Sequence, residues 1–439
     1  MNKYAKFIII IIFLYSGLPL LIHASTEQAS IPGAAQFILN KAGQLVNDDK
    51  TEAAIHLLET FKLKAKKCDE KSASRKGYTH YMVDFTLGNY YLMLSNFQKA
   101  MSCYESVIGK NENYSDAWLN LAKCYYELQQ VEKAGNAFLR GYETSVQRKA
   151  VYLYYSSLSY MMANNYSQAY LVFKRLLRDY PTQIELAWKE SLVHILITLE
   201  RHSEALPYIE EIAKKHTGIK KKEWQEVLLS QYIFLQMDKK ALLYANWLTY
   251  TDTLEPKWWK ALCQLHLSKD RLRDGLTALL TYSFLTPLSN EEKALMGDLY
   301  MMLGIPSKAL AYYQAVVQAE STSIETYKKI SQSYIRLYDV NSALSWAEKG
   351  LSQKDDNDLL MIKGNLLYEI GKYHEATKTY EKFTHQNKIS GQAFLMLGYA
   401  FWGMGDIDKA RTAFKKASQY SNEKRSARQA LKEIARITK

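Results

Sequence analysis

Proline and glycine are scarce in this chain of 439 residues, at 7 and 19. So little punctuation excludes a fold of many short strands joined by tight turns, and the abundance of Leu, Ala, Lys, Glu and Tyr favours helices. Cysteine is scarcer still: four residues are too few for a disulfide-built scaffold in a chain whose 48% apolar content can fill a core. Cys68, Cys103, Cys124 and Cys263 read as packing residues, with a single bridge between Cys103 and Cys124, on successive helices of the repeat, as the lesser alternative in an exported chain. Metal-ligand spacing is lacking as well. His194 and His202 stand eight apart, and neither His-Glu-x-x-His nor a paired Cys-x-x-Cys occurs. A phosphate-cradling glycine loop and a Gly-x-Ser-x-Gly elbow are also missing, so the expectation is a chain that is no enzyme and takes no cofactor or metal. Isolated His80, His266 and His374 read as packing or surface residues, and Glu291-Glu292 and Asp355-Asp356 as charge favouring helix starts.

One long apolar run is present. Lys3 and Lys6 precede Phe7 to Ile22, which Gly17 and Pro19 interrupt, and small residues follow at Ala24 and Ser25. This reads as a cleaved signal peptide over residues 1–24. At 16 residues it falls short of the roughly 20 that span a bilayer, so an uncleaved membrane anchor is the lesser alternative. The expected location is exported and periplasmic. The formal charge is +12, and 57 Lys and Arg become 55 once the two leader lysines go, against 45 Asp and Glu. Clusters at Lys62, Lys64, Lys66 and Lys67, and at Lys214 to Lys222, read first as solvated faces. Peripheral contact with anionic lipid or polysaccharide is the second reading, and no nucleic acid is expected in that compartment.

The chain repeats itself with a unit of 33 to 36 residues. One copy shows Leu87, Gly88, Tyr91, Ala100 and Tyr104; the next shows Trp118, Leu121, Ala122, Tyr125, Ala134 and Phe138. Later copies carry Gly297, Tyr300 and Ala309, then Gly364, Ala376 and Tyr380, and finally Phe394, Leu397, Gly398, Phe401, Ala410, Phe414 and Ala417. Starts fall near 81, 115, 150, 186, 222, 256, 290, 324, 357 and 391, with residues 34 to 66 as a degenerate further copy. Positions 4, 7, 8 and 11 share one face of a first helix, and positions 20, 24 and 27 one face of a second. A small residue at 8 and another at 20 let the antiparallel pair approach, and the ring at 24 fills the space beyond. One such hairpin cannot bury its own apolar faces, so copies must stack. The expected fold is an all-α solenoid, a superhelix of about ten to eleven helix-turn-helix repeats. Residues 25–80 form an N-terminal helical pair in this reading, 81–422 the solenoid and 423–439 a capping helix with Lys424, Arg428, Lys432 and Arg436 on its outer side. A loop with a bend is expected around Lys214 to Lys222, where the pattern is weakest.

These residues resemble the tetratricopeptide repeat, over nearly all of the chain beyond the leader. The resemblance implies a binding wall made by first helices at positions 2, 5, 9, 12 and 13. Carried onto this chain, that gives Met82, Phe85, Asn89 and Met93 in one copy, Tyr154, Met161 and Met162 in another, and Met301 and Met302 later. Methionines and rings make an adaptable surface suited to a partner helix or extended peptide. The family's chaperone-tail clamp is not matched: Asn89 and Asn120 stand where its asparagines do, but Phe85, Val151 and Tyr155 replace its cations. The implied function is a non-catalytic exported scaffold that docks a protein or peptide of the cell envelope. In its order of copies and single leader it looks like the repeat proteins that accompany TonB-ExbB-ExbD energy-transducing systems. The alternative is a repeat subunit of an exopolysaccharide secretion machine, in which Tyr399, Trp402 and the cationic C-terminal ridge contact polymer.

Overall fold

The computed structural model describes residues 30–317, 323–386 and 390–437; the expected leader lies outside them. It is all-α, with no strand among the described residues. The chain divides into two compact units, Met1–Gln236 and Met237–Lys439.

The first unit opens with a hairpin of α1 (Gly33–Asn47) and α2 (Thr51–Leu63), a 3-10 turn over Lys64–Lys67, and the short α3 (Glu70–Arg75). Four hairpins follow: α4 (Tyr81–Met93) with α5 (Phe97–Lys110), α6 (Ser115–Glu127) with α7 (Val131–Thr144), α8 (Ala150–Met162) with α9 (Tyr166–Asp179), and α10 (Leu186–Thr198) with α11 (His202–Lys215). The last helix of this unit is α12 (Gly218–Phe234). The second unit begins with α13 (Asp238–Thr251) and continues through α14 (Pro256–Leu267), α15 (Leu272–Leu285), α16 (Asn290–Met302) and α17 (Pro306–Val317). It ends with α18 (Ile324–Arg336), α19 (Val340–Gln353), α20 (Asn357–Glu369), α21 (Tyr373–Gln386), α22 (Gly391–Gly403), α23 (Ile407–Ala417) and α24 (Lys424–Ile437). Inside each unit every helix from α5 on packs on its sequence neighbours in that unit, α4 packs on α2 and α5, and first helices of adjacent copies touch, as α4 touches α6 and α20 touches α22. That is the packing order of a solenoid.

Two local rules build each hairpin. The helices are joined by a turn whose first residue after the helix cap is left-handed, from Ser95 at φ 56° to Tyr338 at φ 60° and Gly405 at φ 79°. Asn96, Asn165, Asp339 and Asp406 then accept a backbone N–H from the start of the second helix, which satisfies one of its orphan donors. Between the helices a first-helix glycine lies under a second-helix ring: Gly88 under Tyr104, Gly364 under Tyr380 and Gly398 under Phe414. All three rings are completely buried.

The loop expected around Lys214 to Lys222 is not there. α11 runs to Lys215, only His216 and Thr217 intervene, and α12 starts at Gly218 with a φ of 60° and takes Lys220 to Lys222 into its first turns. Lysine is a good helix former, so the run lengthens the helix instead of breaking it. The short turn is held by His216 Nε2, 2.6 Å from Oε1 of the buried Glu190. All four cysteines are free. Burial pushes the Cys103 thiol up to about 11 and the Cys124 thiol up to about 12, which keeps both protonated and unreactive at neutral pH. At the other end α24 packs on α23 and buries Ala427, Ala430 and Ile434 in the core cluster that also holds Leu397, Phe401 and Phe414, leaving its lysines and arginines outside.

Candidate functional site

A helix in a stacked hairpin has several faces, and packing claims some of them. On the first helices the positions proposed for binding divide accordingly. Phe85 is buried, with its ring edge-on to Tyr114 at 4.9 Å. Tyr154 is buried too, stacked on Trp188 at 4.6 Å and 11° with its hydroxyl 3.2 Å from Ser191 Oγ, and burial raises its pKa. Asn89 is half-buried, and its Oδ1 accepts the Tyr104 hydroxyl at 2.7 Å and the Asn120 amide at 3.0 Å. The side chains of these three residues serve the interior. Met82 and Met161 are half-buried, as is Met301, whose Sδ accepts the Ser333 hydroxyl at 3.2 Å. Met93, Met162 and Met302 are open, at 44%, 37% and 65% exposure. Tyr399 and Trp402 are half-buried with nearly parallel rings, 6.5 Å apart at 13°, both edge-on to Phe414. The structure thus separates the candidates into an interior group and an open group, and the open methionines all sit at position 13 of their copies.

Two regularities explain this division, and both can be read along the sequence once one looks for them. Where position 24 is tyrosine, position 9 is Asn or Asp, and the hydroxyl bonds to it: Tyr104 to Asn89, Tyr313 to Asp298 and Tyr380 to Asn365, each at 2.7 Å. A buried phenol needs an acceptor, so position 9 is spent inside the hairpin. Position 12 is apolar in every copy: Leu92, Tyr126, Met161, Ile197 and Ile233 in the first unit, Leu267, Met301, Ile335, Tyr368 and Trp402 in the second. Apart from the buried Leu92, these side chains are half-buried or exposed. Position 12, joined at position 13 by the open Met93, Met162, Phe234 and Met302, forms an accessible apolar band within each unit.

Sequence reasoning also missed Asp84. It stands at position 4, where the repeat pattern calls for a ring, and is 0% exposed. Its carboxylate is paired with Lys62 from α2 and Lys110 from α5, and accepts the Ser106 hydroxyl at 3.1 Å. A carboxylate where the pattern wants an aromatic, bracketed by lysines on both sides in sequence, is the signal that would have found it. Among the described residues no cluster of three or more His, Cys, Asp or Glu is placed to hold a metal ion. No helix among them is long and apolar enough to cross a membrane.

Sequence models of the tetratricopeptide repeat match residues 91–144, 152–182 and 363–436. Together with one relative, they support a tetratricopeptide-repeat protein. That relative is a TPR repeat-containing protein of Methanocaldococcus jannaschii, 23% identical over 352 residues that make up 79% of this chain and 56% of the relative. The chain therefore spans little more than half the length of the curated protein it matches. Among solved structures it is similar to MamA, at 21% identity and a TM-score of 0.35 over 38% of this chain and 97% of that one. It is also similar to YrrB, described as a TPR protein with an unusual peptide-binding site, at 16% identity and a TM-score of 0.38 over 43% and 97%. A complex of Naa15 and Naa10 bound to HypK-THB aligns over 89% of this chain and 64% of the matched chain, at 14% identity and a TM-score of 0.41.

Proposed function

We propose that this chain is a non-catalytic, exported scaffold that docks a protein or peptide of the cell envelope on the band of positions 12 and 13. The observation that carries the reading is that band: side chains such as Met162 and Met302 stay open while Phe85, Asn89 and Tyr154 are consumed by packing. An apolar row of flexible methionines between rings accepts an amphipathic helix or an extended segment without demanding one shape. The placement in the envelope rests on the leader-like residues 1–24, and the role beside a TonB-type energy-transducing system rests on the resemblance in repeat order.

Crosslinking in cells, followed by capture of the chain, tests this. The expected result is one or two defined envelope proteins, lost or strongly reduced in Met162→Glu and Met302→Glu. Both residues are open, so each variant keeps its helicity by circular dichroism. Undiminished capture in both variants would remove the band from the account. Mass measurement of the chain purified from cells tests the location: an N-terminus after residue 24 is expected, and an intact Met1 in a cytosolic fraction would overturn export. A second reading follows from the near-parallel Tyr399 and Trp402 rings and the cationic outer side of α24, which together suit an anionic exopolysaccharide. It predicts salt-sensitive binding to alginate that disappears in Trp402→Ala.

A further inference from the structure

A recess lies apart from the band, between the second helices α2 and α5. One wall is α2 and the 3-10 turn after it, with Glu59, Lys62, Leu63 and Lys66; the other is α5, with Gln98, Lys99 and Ser102, and Cys103 of the same helix reaches the floor. The floor is α4, through Leu87 and Tyr91, and the volume is about 630 Å³. That volume is in the range of sites for small ligands and short peptide segments.

The charges inside are unequal. Lys62 is engaged by the buried Asp84, as is Lys110 beside the recess, and the Tyr91 hydroxyl donates to the Glu59 carboxylate. Lys66 and Lys99 have no carboxylate partner among the described residues, and the Lys99 ammonium stands 5.0 Å from the centre of the Tyr91 ring. Three ammonium groups and one carboxylate line the recess, and the two cations without a carboxylate come from opposite walls. Between them the apolar surface is mainly Leu63, 55% exposed at the edge, above Leu87 and Cys103, which are 3% and 8% exposed at the floor. Unmatched charge on both walls with an apolar strip between them is complementary to a short chain that carries acidic groups on either side of an apolar one.

We propose that this recess binds an acidic, leucine-type segment of a partner protein, its carboxylates meeting Lys66 and Lys99 and its apolar side chain covering Leu63 and the Leu87–Cys103 floor. A continuous polyanion fits less well, because Glu59 sits on the same wall and the strip between the cations is apolar. A bilayer is flat and reaches the edge of a recess more readily than its floor. The site is distinct from the band of positions 12 and 13, and its partner segment need not be the same.

The test is fluorescence anisotropy with the full chain and a fluorescein-labelled peptide, Glu-Leu-Glu-Glu-Leu-Glu, at low salt. Binding is expected to weaken about tenfold or more when Lys66→Glu is combined with Lys99→Glu, and to weaken in Leu63→Glu and at high salt. All three side chains are exposed, and the milder pair Lys66→Ala with Lys99→Ala serves if charge reversal disturbs helicity. Met162→Glu and Met302→Glu, which act on the band, are expected to leave this binding unchanged, so the two proposals fail separately. Equal affinity for the Lys-Leu counterpart of the peptide, or wild-type affinity in the alanine pair, would overturn the proposal. Vesicles of phosphatidylglycerol in phosphatidylcholine form a further arm: binding to them that exceeds peptide binding and is lost in the same variants would reassign the recess to lipid.

Discussion

The glycine under each ring makes a sharp prediction, because one substitution should move stability in opposite directions at two helical sites. At Gly364 an added Cβ would stand 2.5 Å from Cε1 of Tyr380, 2.8 Å from Cζ and 2.9 Å from Cδ1. The ring cannot retreat easily: it is 0% exposed, and its hydroxyl is tied to Asn365 Oδ1 at 2.7 Å. Overpacking of this kind costs about 1–3 kcal/mol, whereas alanine gains roughly 1 kcal/mol over glycine in a helix. Gly364→Ala should therefore be destabilised by about 1 kcal/mol. Gly109 on α5 has nothing within 4 Å of its added Cβ, so Gly109→Ala keeps only the favourable part, up to about 1 kcal/mol. Stacked hairpins open locally, so amide hydrogen exchange is the appropriate assay. Exchange in α20 and α21 should quicken about fivefold in Gly364→Ala, and exchange in α5 should slow in Gly109→Ala. If Gly364→Ala protects its hairpin as well as wild type, the ring slides without cost. The same reasoning for Gly88 and Gly398 would fall with it.

Other outcomes follow from single residues. Tyr338 holds a φ of 60° while its side chain is 92% exposed, so Tyr338→Gly removes backbone strain at little loss of burial. A gain of about 0.5–1 kcal/mol in urea unfolding is expected, and a loss would mean that the ring matters. His80 caps α4 by accepting the Met82 N–H at 3.3 Å through Nδ1, which requires the neutral ring. Burial, and secondarily the Lys110 charge, hold its pKa below the usual 6.5. As pH falls through 6.5 the unfolded chain takes up a proton that the folded chain withholds, so stability declines on that side and is complete above it. His80→Asn caps without titrating, and its urea midpoint should fall less between pH 7.5 and 5 than that of wild type; equal slopes would refute the assignment.

The periodic part of the fold was legible because spacing alone carries it. First helices start at Tyr81, Ser115, Ala150, Leu186, Pro256, Asn290, Ile324, Asn357 and Gly391, the residues at which the repeat restarts in the sequence. Only α12 begins earlier than its copy, at Gly218 instead of 222, because the helix-forming Lys220 and Lys221 precede the pattern. The site was less legible, for a reason that belongs to packing. Tyr154 is hidden because the following copy supplies Trp188 against it, and Asn89 because its own second helix carries a tyrosine and not a phenylalanine at position 24. Periodicity says which side of a helix a residue occupies, but the neighbour decides whether that side is closed. Asp84 shows the same limit from the other direction: its partners Lys62 and Lys110 lie 22 and 26 residues away and on two different helices, out of step with the repeat.

The same division of faces ranks the proposed binding bands of the two units, each taken by itself. Positions 4, 7, 8 and 11 close against the second helix, and position 9 is taken wherever a tyrosine needs an acceptor. Selectivity then falls to position 13, beside the apolar row at 12. In the first unit position 13 reads Met93, Glu127, Met162, Thr198 and Phe234; in the second it reads Ser268, Met302, Arg336, Glu369 and Gly403. The first unit thus carries three open apolar side chains there and the second only Met302, with Arg336 and Glu369 adding charge. A partner with a continuous apolar stripe gains most from the first unit, since apolar contact grows with area removed from water at about 25 cal/mol per Å². Capture should accordingly suffer more from Met162→Glu than from Met302→Glu. The reverse order would assign the partner's apolar side to the second unit and leave the first unit's methionines without a role in docking.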